Sequence, residues 1–221
     1  MVNLVHEQEK IIYLVRHGQS TGNISPVFQT VKSPLTDIGI MQAESIADRL
    51  SRLQFEALIA SPVRRAKETA IHIGTKTGKA PIYSDLFVEC VKPSSIDGKS
   101  WADKDARDIW YKWQTTLFSN SARYSDGENF EDIVNRVDKA LKFLYERPEQ
   151  KIVVVTHGFF LRSIIARILI GDELTGPIMK RFQQLASVEN TGITVLQYKD
   201  AFEEDFAWRL WTFNDHSHFA D

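Results

Sequence analysis

Short apolar runs alternate with helix-length stretches along this 221-residue chain, and that alternation restricts the fold more than any other feature. Ile11 to Val15, Ala57 to Ala60 and Ile152 to Val155 contain no charged residue and no polar alternation, the pattern of strands buried on both faces. Ile82-Tyr83, Ile193 to Tyr198 and Phe206 to Phe213 read as further strands. Between them, Thr36 can cap a helix over Asp37 to Arg52, with Ile40, Ala43, Ala47 and Leu50 on one face. Ser61 and Pro62 read as the N-cap and first residue of a helix that Gly74 and Gly78 end. A third stripe runs from Ala102 through Ala106, Ile109, Trp110 and Trp113 to Leu117. Ser125 and Glu128 suggest a capping box before the clearest amphipathic helix, which Pro148 bounds. A helix from about Phe159 to Ile170 follows. Strands alternating with helices predict an α/β sandwich around a largely parallel sheet, with ligands beyond the C-terminal ends of its strands. With no repeat or dividing linker, the expected organisation is one domain over 1–221, with a helical insertion at about 90–125.

Charge and composition narrow the function. A net charge of -2 gives no general attraction to nucleic acid or to an anionic membrane, so an anion site would need a local cluster of cations. Cys90 is the single cysteine, which excludes an intrachain disulfide. The first apolar run is too short for a secretion signal and follows Glu7, Glu9 and Lys10, and no stretch reaches membrane-helix length. A cytoplasmic location is expected.

Two of the buried strands end alike. Leu14-Val15-Arg16-His17-Gly18 and Val154-Val155-Thr156-His157-Gly158 each place a histidine just past the strand, followed by glycine. The strand rule puts both imidazoles on one rim of the sheet. Glycine suits a sharp turn that presents the preceding side chain. A lone histidine at a strand end is most often a polar cap on the core; two in matching contexts favour chemistry. Arg64 and Arg65 follow Ser61-Pro62, where cations oppose the helix dipole unless an anion binds there. Of the two, Arg64 is expected to face the anion and Arg65 the solvent.

These residues carry a resemblance. Leu14-Val15-Arg16-His17-Gly18-Gln19-Ser20-Thr21-Gly22-Asn23, Pro34-Leu35-Thr36 with Gly39, Ser61-Pro62-Val63-Arg64-Arg65-Ala66-Lys67-Glu68-Thr69-Ala70 and Thr156-His157-Gly158 resemble, in order, the motifs of the histidine phosphatase superfamily, which includes phosphoglycerate mutases. The closing Asn214-Asp215-His216-Ser217-His218 is similar to the end of many small members, whereas 89–124 matches poorly. The resemblance implies a three-layer α/β/α sandwich with a six-stranded, mostly parallel mixed sheet. It implies His17 as nucleophile, Arg16, Arg64 and His157 as the phosphate pocket, Asn23 as a polar lining residue and Glu89 as the acid. Gln19 and Gly158, beside the two histidines, complete the expected substrate-binding set.

The residue types suit phosphoryl transfer, which needs an in-line nucleophile and positive charge around the equatorial oxygens. His17 must attack as neutral imidazole, and neighbouring arginines disfavour its protonated form. A carboxylic acid must protonate the leaving oxygen; the apolar neighbours Phe87, Val88 and Cys90 would favour a protonated Glu89. The expected activity is therefore a metal-independent phosphomonoesterase acting on a small phosphorylated substrate through a phosphohistidine, without cofactor, nucleic acid or membrane partner. The alternatives are a phosphoglycerate mutase and a non-catalytic phospholigand-binding module. Against the mutase, Gln19 stands where the mutases have Glu. Against the binding module, no histidine or arginine is missing. Zinc is the competing reading of a histidine-rich rim, but ligand spacing is absent, and the His216/His218 pair reads as solvated. Trp110 and Trp113 lie on the helical stripe and read as core. Trp101 and Tyr111 lie off it and could cover an apolar leaving group, while Lys92 and Lys99 could reach a second anionic group. Cys90 reads as an inert thiol.

Overall fold

The computed structural model describes residues 9–119, 122–200 and 207–219. Six strands form one sheet: β1 (Glu9–Arg16), β2 (Ala57–Ala60), β3 (Pro81–Tyr83), β4 (Lys151–Thr156), β5 (Ile193–Lys199) and β6 (Trp208–Asp215), in the order β3-β2-β4-β1-β5-β6. The pairs β3–β2, β2–β4 and β4–β1 are parallel, and β1–β5 and β5–β6 are antiparallel. The helices are α1 (Thr21–Ile24), α2 (Asp37–Leu50), α3 (Arg64–Thr77), α4 (Lys104–Leu117), α5 (Phe130–Glu146), α6 (Gly158–Ile170) and α7 (Gly176–Leu185). The expected three-layer sandwich with a mostly parallel mixed sheet is the observed one. Phe206, expected to open the last strand, lies outside the described residues.

Strand periodicity makes the layers. Ile12 and Leu14 of β1 and Ile152 and Val154 of β4 pack on one face against Ile133, Val137 and Leu144 of α5 and Leu161 and Ile164 of α6. Val15, Val153, Val155 and Leu58 face the other way, against Ile46 and Leu50 of α2 and Ala66, Ala70 and Ile73 of α3. The central strands are thus buried on both faces, which is why they read as continuous apolar runs.

Two helix starts differ from the expectation. Asn129, not Ser125, caps α5: its Oδ1 accepts from the Asp132 N–H at 2.9 Å while the Asp132 carboxylate accepts from the Asn129 N–H at 2.9 Å. Ser125 instead adopts a φ of 56°, outside any helix. At α3 the helix begins at Arg64 with Val63 in the cap position, two residues later than Ser61-Pro62 implies. Thr36 does cap α2, accepting from the Gly39 N–H at 3.0 Å, a contact worth about 1 kcal/mol.

Candidate active site

The β1–β4 register aligns Arg16 with Thr156, so His17 and His157 leave adjacent parallel strands at the same level. Their ring centroids lie 5.1 Å apart, and both residues are buried. Parallel pairing and equal strand ends therefore bring together two residues separated by most of the chain.

The hydrogen bonds of His17 assign its tautomer. Nδ1 lies 2.7 Å from the Gly18 carbonyl, an acceptor only, so Nδ1 carries the proton. Nε2 is then the lone-pair nitrogen, and it accepts from Arg65 Nε at 3.0 Å. Burial holds the His17 imidazole well below the ordinary histidine range, with Arg65 and Arg16 adding to the effect.

His157 is held by its other nitrogen. Ser61 Oγ accepts from the Val63 N–H at 3.2 Å and lies 2.8 Å from His157 Nε2. A Ser61 hydroxyl that donates to Nε2 puts the proton of His157 on Nδ1. Burial, followed by Arg65 and then His17, also keeps this ring well below the usual range. Among the described residues, the buried side-chain nitrogen and oxygen atoms without a hydrogen-bond partner are His157 Nδ1 and Arg16 Nε. Unpaired buried polar atoms are costly, and Arg16 and His157 each keep one free for a ligand.

The positive charge comes from Arg16 and Arg65. Arg16 Nη1 donates to the Val188 carbonyl at 2.6 Å, which fixes the guanidinium and leaves Nε unpaired. Arg65, only 3% exposed, donates to His17 and, through Nη1, to the Thr30 carbonyl at 3.2 Å. Burial lowers its pKa to about 10, against the opposing influence of Glu89. Arg64 does not reach the site, a correction to the expectation. As the first residue of α3 it points outward and pairs with Glu68 one turn on, at 2.7 Å. The buried stripe of α3 is Arg65, Ala66, Thr69, Ala70 and Ile73, and Arg65 belongs to it. Arg162 on α6 is a further cation; its Nε donates to Gln183 Oε1 at 2.7 Å, and the charges of Glu89 and Arg16 both act on it.

Glu89 sits at the start of α6, in a polar setting rather than the apolar one expected. Its carboxylate accepts from the N–H groups of Phe160 at 3.1 Å, Phe159 at 3.4 Å and Cys90 at 3.0 Å. An anion at a helix N-terminus is favoured by the dipole and the unpaired amides there. Glu89 is within electrostatic reach of Arg16 and Arg65. The Cys90 thiol is pushed up well above its ordinary range, first by burial and then by Glu128 and Glu89, in keeping with an inert thiol.

The remaining expected residues are placed differently. Asn23 Oδ1 accepts from the N–H of Ser20 at 2.8 Å and from its hydroxyl at 3.0 Å, so that amide oxygen folds the loop. The Gln19 side chain accepts from Thr36 Oγ1 at 2.9 Å, which ties the loop to the N-terminus of α2. Neither Gly18 nor Gly158 has a positive φ, so neither supplies the special turn angle expected. Close approach explains both: a Cβ on Gly18 would lie 2.6 Å from the Gly39 carbonyl oxygen, and one on Gly158 would lie 3.3 Å from Arg16 Nε.

Further residues support the two histidine turns. The Gly18 N–H donates to Thr69 Oγ1 at 3.1 Å. Asn190 Nδ2 donates to the His17 carbonyl at 2.7 Å, and the Thr191 N–H donates to the Arg16 carbonyl at 2.9 Å. The closing segment braces them: Asn214 Oδ1 accepts from the Glu189 N–H at 2.7 Å, and His218 Nε2 lies 3.1 Å from Thr191 Oγ1. Among the described residues, no group of three or more His, Cys, Asp or Glu side chains is disposed to hold a metal ion. No helix among them is long and apolar enough to cross a membrane.

Known proteins resemble this chain in sequence and in fold. A metal-independent phosphoserine phosphatase of Arabidopsis thaliana is 29% identical over 71% of this chain and 68% of its own length. The phosphoglycerate mutase-like protein 4 of the same plant is 26% identical over 95% of this chain and 87% of its own. The α-ribazole phosphatase of Shigella flexneri superposes with a TM-score of 0.74 at 22% identity, over 93% of this chain and 96% of that one, a likeness of fold. The family model for branch 1 of the histidine phosphatase superfamily matches residues 12–213, from the first core strand to the last, and the chain belongs to that superfamily.

Proposed function

We propose that the protein is a metal-independent phosphomonoesterase that passes through a phosphohistidine on His17. Membership of the superfamily and the phosphatase among its relatives support phosphatase activity. The observation that carries the finer reading is the pair of unpartnered buried donors, Arg16 Nε and His157 Nδ1, beside a neutral His17 whose lone pair is on Nε2.

Glu89 takes up the proton that the phosphate monoester brings as its monoanion, and delivers it to the leaving oxygen as Nε2 attacks phosphorus and the P–O ester bond breaks. Nδ1 keeps its proton on the Gly18 carbonyl, which stabilises the cationic phosphohistidine. Arg16, Arg65 and His157 donate hydrogen bonds to the phosphoryl oxygens, the charge-neutralising work that a metal does in other phosphatases. Water then attacks phosphorus, the P–N bond breaks, and the Glu89 carboxylate takes the proton from water. Gln19, which stands where the mutases have Glu, favours hydrolysis over mutase action.

Glu89→Gln tests the assignment through the leaving group. An alkoxide needs a proton in the transition state and a nitrophenolate does not. The phosphorylation step on alkyl phosphates should fall about 10²- to 10⁴-fold, and that on p-nitrophenyl phosphate much less. Single-turnover kinetics in EDTA give both rates. An equal loss on both esters in a folded variant would make Glu89 a positioning residue, and activity restored only by a divalent ion would exclude the metal-independent mechanism.

A further inference from the structure

We infer that the leaving-group side of this site takes an uncharged aromatic or extended apolar group, not a second anion. The inference rests on the phosphatase reading and names its substrate class. A cavity of about 430 Å³ opens directly off Arg65 and Glu89. That is the size of a small-molecule site. One wall is an aromatic stack: Phe28 and Trp101 have centroids 3.9 Å apart, Trp110 lies 5.5 Å from each, and Trp113 lies 5.0 Å from Trp110. Val31, Val63, Val88 and Phe159 line other parts of it. Trp110, expected in the core, and Trp101, expected over a leaving group, both face this cavity, whereas Tyr111 is 62% exposed and does not line it.

The wall is held in place. The Trp101 N–H donates to the Pro26 carbonyl at 2.9 Å, Phe28 and Lys99 are joined by a backbone bond of 2.9 Å, and Arg107 Nη1 donates to the Trp101 carbonyl at 2.6 Å. These bonds fix the tryptophan backbone on the Val27-Phe28 segment, so little ordering remains for a ligand to impose.

The cations around the cavity are already engaged. Lys92 lines it, but its ammonium donates to the Gln29 carbonyl at 2.7 Å and pairs with Asp97, and its side chain is only 16% exposed. Arg65 is held by His17 and the Thr30 carbonyl. Lys99 is exposed and does not line the cavity. A carboxylate beyond the phosphate, as in phosphoserine, would meet Asp97 and an aromatic wall and would have to displace an existing ion pair to gain a partner.

Alkyl esters with similar leaving groups separate pocket preference from chemical reactivity: 3-phenylpropyl phosphate, propyl phosphate and O-phosphoserine. Burial of one phenyl group predicts a kcat/KM for the phenylpropyl ester roughly 10- to 100-fold above the propyl ester, with phosphoserine at or below propyl. Trp101→Ala should remove most of the phenylpropyl advantage and act much less on the propyl ester, while Tyr111→Ala leaves all three unchanged. Asp97→Asn, which frees Lys92, should raise phosphoserine relative to propyl phosphate. Tryptophan fluorescence should show 3-phenylpropylphosphonate binding tighter than propylphosphonate by a similar factor, independently of turnover. Phosphonate selectivity without hydrolysis of any ester would uphold the pocket and defeat the phosphatase reading. Hydrolysis with no phenylpropyl preference, or with phosphoserine preferred, would overturn the pocket and leave the phosphatase reading standing.

Discussion

The two histidine turns read almost identically and are wired in opposite ways. At the end of β1, His17 gives its Nδ1 proton to its own turn and directs Nε2 at Arg65. At the end of β4, His157 has Nε2 held by Ser61 and leaves Nδ1 unpaired. The first arrangement presents a lone pair, which suits the nucleophile proposed. The second leaves Nδ1 open, which suits the oxyanion donor proposed. Strand position brings both rings to one rim. The partner of the other ring nitrogen separates their roles, and that partner comes from Gly18 in one case and from the approach to α3 in the other.

Substitutions can break this asymmetry, and the largest effect is expected at His17. His17→Ala should lower phosphomonoesterase kcat by about 10⁴-fold or more, because it removes the proposed phosphoryl acceptor. His157→Ala should cost less, about 10²- to 10³-fold, the loss of one oxyanion donor. Equal losses in two folded variants would contradict the division of roles. Arg65→Gln should fall in the same range as His157→Ala, while Arg64→Ala should stay within about twofold, because its exposed pair with Glu68 contributes little. Arg65→Gln also has a pH signature. Arg65 is, after burial, the next cause of the low pKa of His17, so its removal raises that pKa and protonates the nucleophile at higher pH. The acid limb of kcat/KM should therefore move to higher pH, whereas in wild type it lies below the ordinary histidine range. Ser61→Ala is the smallest change. It frees the His157 tautomer without touching the phosphoryl group and should lower kcat about 3- to 10-fold, the equivalent of one hydrogen bond.

The fold was legible because its core strands are buried on both faces and so carry uninterrupted apolar runs. The two histidines were legible because they share a strand-end context. The helix start in the sequence points to the wrong arginine. With the N-cap set at Ser61, either arginine could face the anion, whereas the stripe Arg65, Thr69, Ile73 and the Arg64–Glu68 pair, both in the sequence, select Arg65. The α7 helix has Thr175 in the cap position and Pro177 in its first turn, a start signal that its short, mixed apolar face obscured. Asn190 and Thr191 gave no local sign. Their contacts to His17 and Arg16 cross from the start of β5 to the end of β1, and only the antiparallel β1–β5 pairing creates them.

The most direct test of the account is where phosphate resides on the protein during turnover. Glu89→Gln should accumulate phosphoenzyme on p-nitrophenyl phosphate, since its second step lacks the base that activates water. After an alkaline quench, which preserves phosphohistidine, peptide mass spectrometry should find the phosphoryl group on His17, bonded to Nε2. Acid should remove it, and adding His17→Ala should abolish it. Phosphate on His157, or a burst of nitrophenol with no phosphorylated histidine, would contradict the assignment of the two turns.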